Sequence, residues 1–345
     1  MSTNKKKIIM YPSGTVELPS SHLRIYETAK ELSTLGHDVV VVDPNLSNES
    51  KRIYLELAES GAIVYIQKMA QSFHKPQNFI PYKNKFTIVY DVDDFHNGQD
   101  SGLVEIANIV VAGSHYVADY CRQINKNVYI ACSITDTEIY KYVDRTERPA
   151  SRPLQIIWTE NFANAYMEDL ILIQKAMQRI RDKYKVRFVL QGLRENRFFN
   201  KPNYKNLLVK FIQMFPYAVI QKSMPIEQYL QEGVQTLFDS DIGIIPFKVD
   251  RVGKAGQNMR SLMSTGLACI GTPGNEHEHI IDHGKTGFLA STETEWEAYL
   301  EQLILNKDLR LQMGRAAGGH IRNTYSRKKY VEKICDILHL SPTVE

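Results

Sequence analysis

The chain of 345 residues is poor in the features that mark secreted, membrane-spanning or metal-built proteins. Its four cysteines, Cys121, Cys132, Cys269 and Cys335, stand far apart and form no C-x-x-C pair. Neither a disulfide framework nor a zinc site is suggested, and a reducing cytoplasm is the expected setting. No run approaches the ~18 apolar residues of a spanning helix. After the polar start MSTNKKK only Ile8 to Tyr11 precede Pro12, too few for a signal-peptide core. Any membrane contact is therefore expected to be peripheral. Charge of one sign is scarce too. Forty-two Lys plus Arg against 39 Asp plus Glu leave +3, a surplus that names neither nucleic acid nor membrane as a partner. The fingerprints G-x-G-x-x-G and G-x-x-x-x-G-K-[ST] are missing, and with them the usual signs of a dinucleotide dehydrogenase or a P-loop enzyme.

What is present is enough apolar sequence to bury real cores: 43% hydrophobic against 23% charged residues, in a length that suggests two domains. Lys7 to Tyr11 predicts a buried strand, broken by Pro12-Ser13-Gly14. A helix capped by Ser20 or Ser21 then runs to about Leu35, Gly36 ends it, and Val39 to Val42 is a strand covered on both faces. The rhythm continues through Ala62 to Ile66, Phe86 to Tyr90, Asn108 to Ala112 and Asn127 to Ala131, which predicts a doubly wound α/β domain. The polar, two-proline segment Asp144 to Pro153 reads as a linker. Beyond it come strands Leu154 to Trp158, Val186 to Leu190, Asp241 to Phe247 and Leu267 to Gly271. Helices are expected over about Met167 to Lys183, Ile226 to Phe238 and Gln257 to Thr265. The predicted domains are 1–148, 149–325 and a final helical piece, 326–345, whose apolar stripe of Tyr330, Val331, Ile334, Ile337 and Leu338 must pack on something. Parallel sheets bind ligands beyond the carboxyl ends of their strands, so the chemistry is expected in a cleft between two such halves.

Three stretches fall at such ends. Ser13-Gly14-Thr15 follows the first strand; Gly14 either lets the backbone approach a phosphate or sugar or is a simple turn glycine. Tyr90 to His96, YDVDDFH, gathers carboxylates and an imidazole. It reads as a helix cap, as direct contact of Asp94 or His96 with a sugar or acceptor, or as a hard-cation site. Asp241 to Leu289 is the richest: a buried strand ends at Pro246-Phe247, a basic glycine-containing loop follows (Lys248, Arg251, Gly253, Lys254, Gly256), and a helix opens behind it. Free N–H groups, the positive helix end and nearby cations suit a diphosphate; a merely solvated basic loop is the alternative. His277, His279 and His283 fit no zinc spacing and read as a polar helix face. Arg194 to Lys210 interleaves basic residues with Phe198, Phe199 and Tyr204, which suits nucleic acid or an ordinary solvated loop.

This last third of the chain resembles the donor half of retaining glycosyltransferases of the GT-B fold, family 4, also called glycosyl transferases group 1. The matching elements are Ile245-Pro246-Phe247, Lys254, Ser264-Thr265-Gly266, Leu267 to Gly271 and Asp282-His283-Gly284-Lys285-Thr286-Gly287-Phe288-Leu289. Leu35-Gly36-His37-Asp38-Val39, Tyr90 to Phe95, Trp296 and Leu309-Arg310 extend the resemblance over nearly the whole chain. It implies an α/β fold of two facing Rossmann-like doubly wound domains, with the nucleotide sugar on the C-terminal one, the acceptor on the N-terminal one and a final helix crossing back. It also implies same-face transfer, in which the leaving phosphate takes the acceptor proton.

Two departures stand out. The family's Glu-x7-Glu pair falls on Gly253 and Ser261, so both carboxylates are absent, and Ser261 can give the ribose only one weaker hydrogen bond. Glu160, in Trp158-Thr159-Glu160-Asn161, stands where relatives carry a glycine near the diphosphate. Lys254 and Arg260 are the expected catalytic cations, for charge gathers on the leaving diphosphate as the sugar becomes oxocarbenium-like; Asp94 is the expected acceptor-side group. Gly14, Glu160, Gly256, Asn258, Ser261 and Met224 are the expected donor contacts, with no metal and no tightly bound cofactor. The acceptor is a glycan, a lipid-linked sugar, a protein or a hydroxymethylated DNA base. The alternative is a catalytically silent GT-B subunit that binds a partner or glycan.

Overall fold

Short apolar strands alternating with helices account for most of the chain. The computed structural model describes residues 5–68, 71–93, 101–149, 151–162, 164–193, 202–225, 228–248 and 255–341. Contacts divide them into two units: one runs up to Ile134, includes Ala255 and resumes at Arg327, the other comprises Thr135–Val252 and Gly256–Ser326.

In the first unit β1 (Lys7–Tyr11), α1 (Glu27–Thr34), β2 (Asp38–Val41), α2 (Asn48–Leu57), β3 (Ile63–Gln67), β4 (Thr87–Val92), β5 (Ile109–Ala112), α3 (His115–Arg122) and β6 (Val128–Ile130) follow one another. Every strand pair is parallel, in the order β2-β1-β3-β4-β5-β6. Successive strand residues point to opposite faces, so Ile9 and Tyr11 enter one core while Ile8 and Met10 enter the other. Both faces are covered, as an all-parallel sheet requires.

The second unit repeats the plan with β7 (Leu154–Phe162), α4 (Gln174–Lys183), β8 (Val186–Leu193), β9 (Val219–Lys222), α5 (Val234–Asp239), β10 (Ile242–Ile245), α6 (Gln257–Ser264), β11 (Ala268–Gly271), β12 (Phe288–Leu289), α7 (Glu293–Leu305) and α8 (Lys307–Tyr325). Its sheet is again parallel, ordered β12-β11-β10-β7-β8-β9. The order reverses between β7 and β10, and such a switch point is where the loops part and a crevice opens. The helix expected over Met167 to Lys183 is two helices, Asn164–Ile171 and α4. Strand β9, half-exposed at the sheet edge, has no clear apolar signature and escapes the sequence pattern.

The segment Asp144 to Pro153 is not a free linker, and the change of unit comes earlier, at Ile134–Thr135. Its arginines bind the carboxyl end of α5. Arg145 Nε donates to Ser240 O at 2.7 Å, and Arg148 and Arg152 both reach Asp241 Oδ1 at 2.7 Å. Cations suit the unsatisfied carbonyls of a helix C-terminus, so a stretch that looks like polar spacer is a clamp. The chain re-enters the first unit through α9 (Arg327–Leu338). Tyr330, Val331, Ile334, Ile337 and Leu338 share a core with Ile8, Met10 and Ile25, and Arg327 pairs with Glu27.

Within the second unit α8 lies against the start of β11 at Gly314, where an added Cβ would overlap the carbonyl oxygen of Gly266. Gly314→Ala gains about 1 kcal/mol of helix propensity but forces two backbones apart, an overpacking cost of about 1–3 kcal/mol. The clash wins because a backbone carbonyl cannot rotate away. A thermal melt is expected to fall by several degrees, and an unchanged or raised midpoint would contradict the packing.

Candidate functional site

At the β7/β10 switch point the second unit presents a helix N-terminus. Strand β10 is wholly buried and stops at Pro246; Phe247 N donates to Thr272 Oγ1 at 3.0 Å and Lys248 N to Asp169 Oδ1 at 3.0 Å, which fixes the exit of the strand. Lys248 Nζ is paired with Glu168 at 2.5 Å. Residues 249–254, including Arg251, Gly253 and the expected catalytic Lys254, lie outside the described residues. The chain resumes into Gly256, the N-cap of α6, in the left-handed conformation at φ 66°. A side chain would be strained there and would meet Ile280 Cδ1. Gly256 has no side chain with which to cap the helix, and the positive end of a helix dipole lies here, a local field that suits an anion.

Four of the expected residues share this helix. Gly256 and the half-buried Asn258 are at its opening, while Arg260 and Ser261 are buried one turn in. Arg260 is not laid open to a ligand: it is 0% exposed, donates from Nη2 to Gln257 Oε1 at 2.7 Å and stacks over the Tyr325 ring at 5.2 Å. The reading of Arg260 as a cation touching diphosphate is thereby corrected. Its helix packs against β10, β11 and α8. His277 lies beside it, also 0% exposed, stacked on Phe247 at 4.9 Å. Burial lowers its pKa to about 3, against a stabilising contact to Thr272 O, with the Arg260 charge adding to the drop. His277 is thus a neutral core residue and belongs to no polar helix face.

Ser261, an expected donor contact, is 4% exposed. Its hydroxyl interacts with the phenol of Tyr140, Tyr140 with Tyr229, and Tyr229 with Thr159. Burial holds both phenols above their ordinary pKa. From there Thr159 Oγ1 donates to Gln191 Oε1 at 3.2 Å, and Gln191 Nε2 to Gln221 Oε1 at 3.1 Å and Gly233 O at 2.9 Å. A neutral polar chain therefore crosses the carboxyl ends of β7, β8 and β9. Glu160 is half-buried beside Thr159, where the β7–β8 register shifts, and Met224 is half-exposed just past β9. Tyr140 and Tyr229 were missed by sequence reasoning; one precedes the first strand of the unit and the other sits in a π-helical turn, Tyr229–Gly233, and neither carries a motif.

In the first unit the expected features separate. Gly14 follows β1 as expected, but its N–H donates to Ser21 Oγ at 3.1 Å and that of Ser13 to Gln67 Oε1 at 3.0 Å. These amides are engaged within the protein and are not offered to a phosphate. The two described carboxylates of Tyr90 to His96, Asp91 and Asp93, each have a basic partner of their own. Asp91 is fully buried and bound by Arg24 at 2.6 and 3.0 Å and by Tyr65, and Asp93 pairs with Lys68 at 3.1 Å. Asp94, Phe95 and His96 lie outside the described residues, as does Arg194 to Lys201; Pro202–Met214 is a helix. Among the described residues no cluster of His, Cys, Asp and Glu could hold a metal ion, and no helix is long and apolar enough to cross a membrane.

No protein-family model matches the chain, and no curated protein matches it. Solved structures do. A glycosyltransferase from Rickettsia africae ESF-5 superposes with a TM-score of 0.74 at 15% identity, over 98% of this chain and 100% of that one. Anabaena HepE in complex with UDP and glucose gives 0.71 at 12%, over 97% and 100%. Sucrose-phosphate synthase from Thermosynechococcus elongatus gives 0.70 at 11%, over 97% and 98%. At these identities the likeness establishes the architecture, a GT-B fold of two parallel six-stranded sheets with their helices.

Proposed function

We propose that the chain is a glycosyltransferase whose second unit holds a nucleoside-diphosphate sugar, a UDP-sugar before a GDP-sugar, for transfer to a hydroxyl acceptor. The observation that carries this is the helix N-terminus with a left-handed Gly256 as N-cap, at the switch point of a parallel sheet, with a buried Arg260 charge one turn behind it. Oriented amides and a fixed cation in a water-poor site stabilise charge on a departing diphosphate without a metal. The UDP and glucose held by the Anabaena protein of the same fold support the choice of donor.

In the reaction so read, the bond from the anomeric carbon to the β-phosphate oxygen breaks as the acceptor oxygen bonds on the same face. The acceptor proton passes to the leaving phosphate, and configuration is retained. Lys254 supplies the second cation. The neutral chain from Ser261 to Gln191 recognises ribose and base through hydroxyl and amide groups in place of carboxylates. Glycan, lipid-linked sugar, protein and hydroxymethylated DNA base remain the acceptor classes, and a cytoplasmic enzyme with at most peripheral membrane contact fits the composition.

A second reading has its own observation. Gly253 and Ser261 replace the glutamate pair, and the Ser261 hydroxyl is already engaged by Tyr140. A silent subunit that binds a nucleotide or glycan partner would tolerate both. Calorimetric titration with UDP and GDP, followed by hydrolysis and transfer assays over a nucleotide-sugar panel, separates the readings. The enzyme reading expects binding and turnover; binding without turnover favours the silent subunit, and no nucleotide binding by folded protein ends the donor assignment. Within the enzyme reading, Tyr140→Phe removes one net hydrogen bond and is expected to raise the donor KM by about five- to tenfold with little change in kcat. A KM that does not move would take Tyr140 out of donor recognition.

A further inference from the structure

Charge is spread unevenly along a chain whose surplus is only +3. Between residues 171 and 225 stand twelve Lys and Arg against Asp182 and Glu195, and no acidic residue occurs from Asn196 to Ile226. The described part of this stretch forms one side of the second unit. Strands β7, β8 and β9 lie in sequence order at the end of the sheet, and right-handed crossovers between them put their helices on a shared face. Helix Asn164–Ile171 accordingly packs against helix Pro202–Met214, which leads into the edge strand β9 and is the outer of the two.

The core covers only one face of this outer helix. Phe211 is buried and packs on Phe215 at 4.9 Å, while Val209 and Ile212 are 46% and 45% exposed. Val219 of β9 is exposed too, as are Ile171 and Leu172 at the end of the neighbouring helix. Cations stand around them. Lys185, Arg187, Lys210 and Lys222 are exposed, and Arg181 lies over the Tyr217 ring at 5.2 Å. Lys210 follows Val209 on the helix, and the pairing of Val189 with Val219 sets Arg187 beside the start of β9. The carboxylates of the flanking helices are already paired, Asp182 with Arg181 at 3.4 Å and Glu168 with Lys248 at 2.5 Å.

Exposed aliphatic side chains among long cationic ones match a surface that is negative outside and apolar beneath. A nucleic acid brings phosphates to the cations but needs aromatic rings for its bases. Here Phe211 and Phe215 are buried and Tyr217 is covered by Arg181. A protein partner would cover the aliphatic patch, but lysine is depleted where proteins pack on proteins. We propose that the second unit docks on an anionic lipid bilayer through helix Pro202–Met214 and the edge of β9, with Val209 and Ile212 entering the headgroup boundary and the cations meeting lipid phosphates. The docking does not depend on the transferase reading.

The test is sedimentation of the full chain with vesicles of equimolar phosphatidylcholine and phosphatidylglycerol, beside vesicles of phosphatidylcholine alone. Binding is expected to the anionic vesicles only, and it weakens as salt rises. Arg187→Gln with Lys210→Gln is expected to weaken it by about twentyfold, at about fivefold per cation, and Val209→Ser with Ile212→Ser by about tenfold. All four residues are exposed, and melting curves are recorded to show the variants folded. Lys285→Gln with Arg315→Gln removes two exposed cations on the β11–β12 side of the same sheet and is expected to change little. The proposal is overturned if the anionic vesicles do not carry the protein down, or if this control pair weakens binding as much as Arg187→Gln with Lys210→Gln. Serine variants that bind like wild type overturn it as well, since the contact is then with charge alone. Tighter binding to single-stranded DNA than to the vesicles, lost with the same two cations, assigns the surface to nucleic acid instead.

Discussion

Arg24→Met is expected to remove about 3–5 kcal/mol from the stability of the first unit, because it breaks a buried ion pair and leaves the surviving charge in the core. Arg24 and Asp91 are both 0% exposed and joined by two hydrogen bonds of 2.6 and 3.0 Å. Arg24 Nη1 also donates to Ala131 O at 2.9 Å and Ser133 Oγ at 3.1 Å, and its guanidinium lies over the Tyr330 ring of α9 at 6.0 Å. One side chain thus ties β4, the chain after β6 and the returning helix together. Methionine fills much of its volume and replaces none of these bonds. The pair itself need not be net stabilising, so Arg24→Met with Asp91→Leu is expected to recover most of the loss. Denaturant unfolding of the single and double variants checks both statements; equal losses in the two would show that the orphaned charge is not the cause.

The same variant has a defined pH dependence. Burial raises the Asp91 pKa, while the charge and hydrogen bonds of Arg24 oppose the rise. Without Arg24 the folded-state pKa climbs further above its unfolded value of about 3.9, and the folded state takes up a proton that the unfolded chain gives away. Stability then falls as pH rises from the unfolded pKa through the folded one. Arg24→Met is accordingly expected to be closer to wild type at mildly acid pH than at pH 8, and an opposite slope would refute the assignment.

The largest expected effect on activity is that of Lys254→Ala, about a hundredfold loss in kcat with an unchanged melting temperature. Lys254 precedes the Gly256 N-cap by two residues in sequence, and the proposed reaction gives it the charge that meets the leaving diphosphate. The loss falls on kcat because the leaving group gains its charge as the bond breaks. Arg260→Met makes an informative contrast. With its guanidinium buried against Gln257 and Tyr325, that variant is expected to lose stability together with rate. Turnover retained in Lys254→Ala would remove this residue from the reaction.

Much of the site's position was legible in the sequence. Pro246, the glycine-containing basic loop and the helix behind it announced where one strand ends and the next helix begins, and the structure has Gly256 as the left-handed N-cap of α6. Patterns of this kind are local, and residue spacing carries them. The acidic run Tyr90 to His96 was legible as a strand end but not in its chemistry. The partner of Asp91 is Arg24, sixty-seven residues away in sequence, and spacing alone cannot pair them. The arginines of Asp144 to Pro153 misled for the same reason: their acceptors are carbonyls and a carboxylate at Leu237 to Asp241, near only after folding.

By itself, the sequence determined two α/β halves, the covered parallel strands and the helix start at the end of β10, because hydrophobic period and turn chemistry act over a few residues. Only the tertiary structure decided which charges are available. It buried Arg260, Asp91 and His277, closed the amides of Ser13 and Gly14 on Gln67 and Ser21, and set Tyr140 against Ser261. Those outcomes depend on desolvation and on partners brought from distant parts of the chain, quantities that a linear order of residues does not contain.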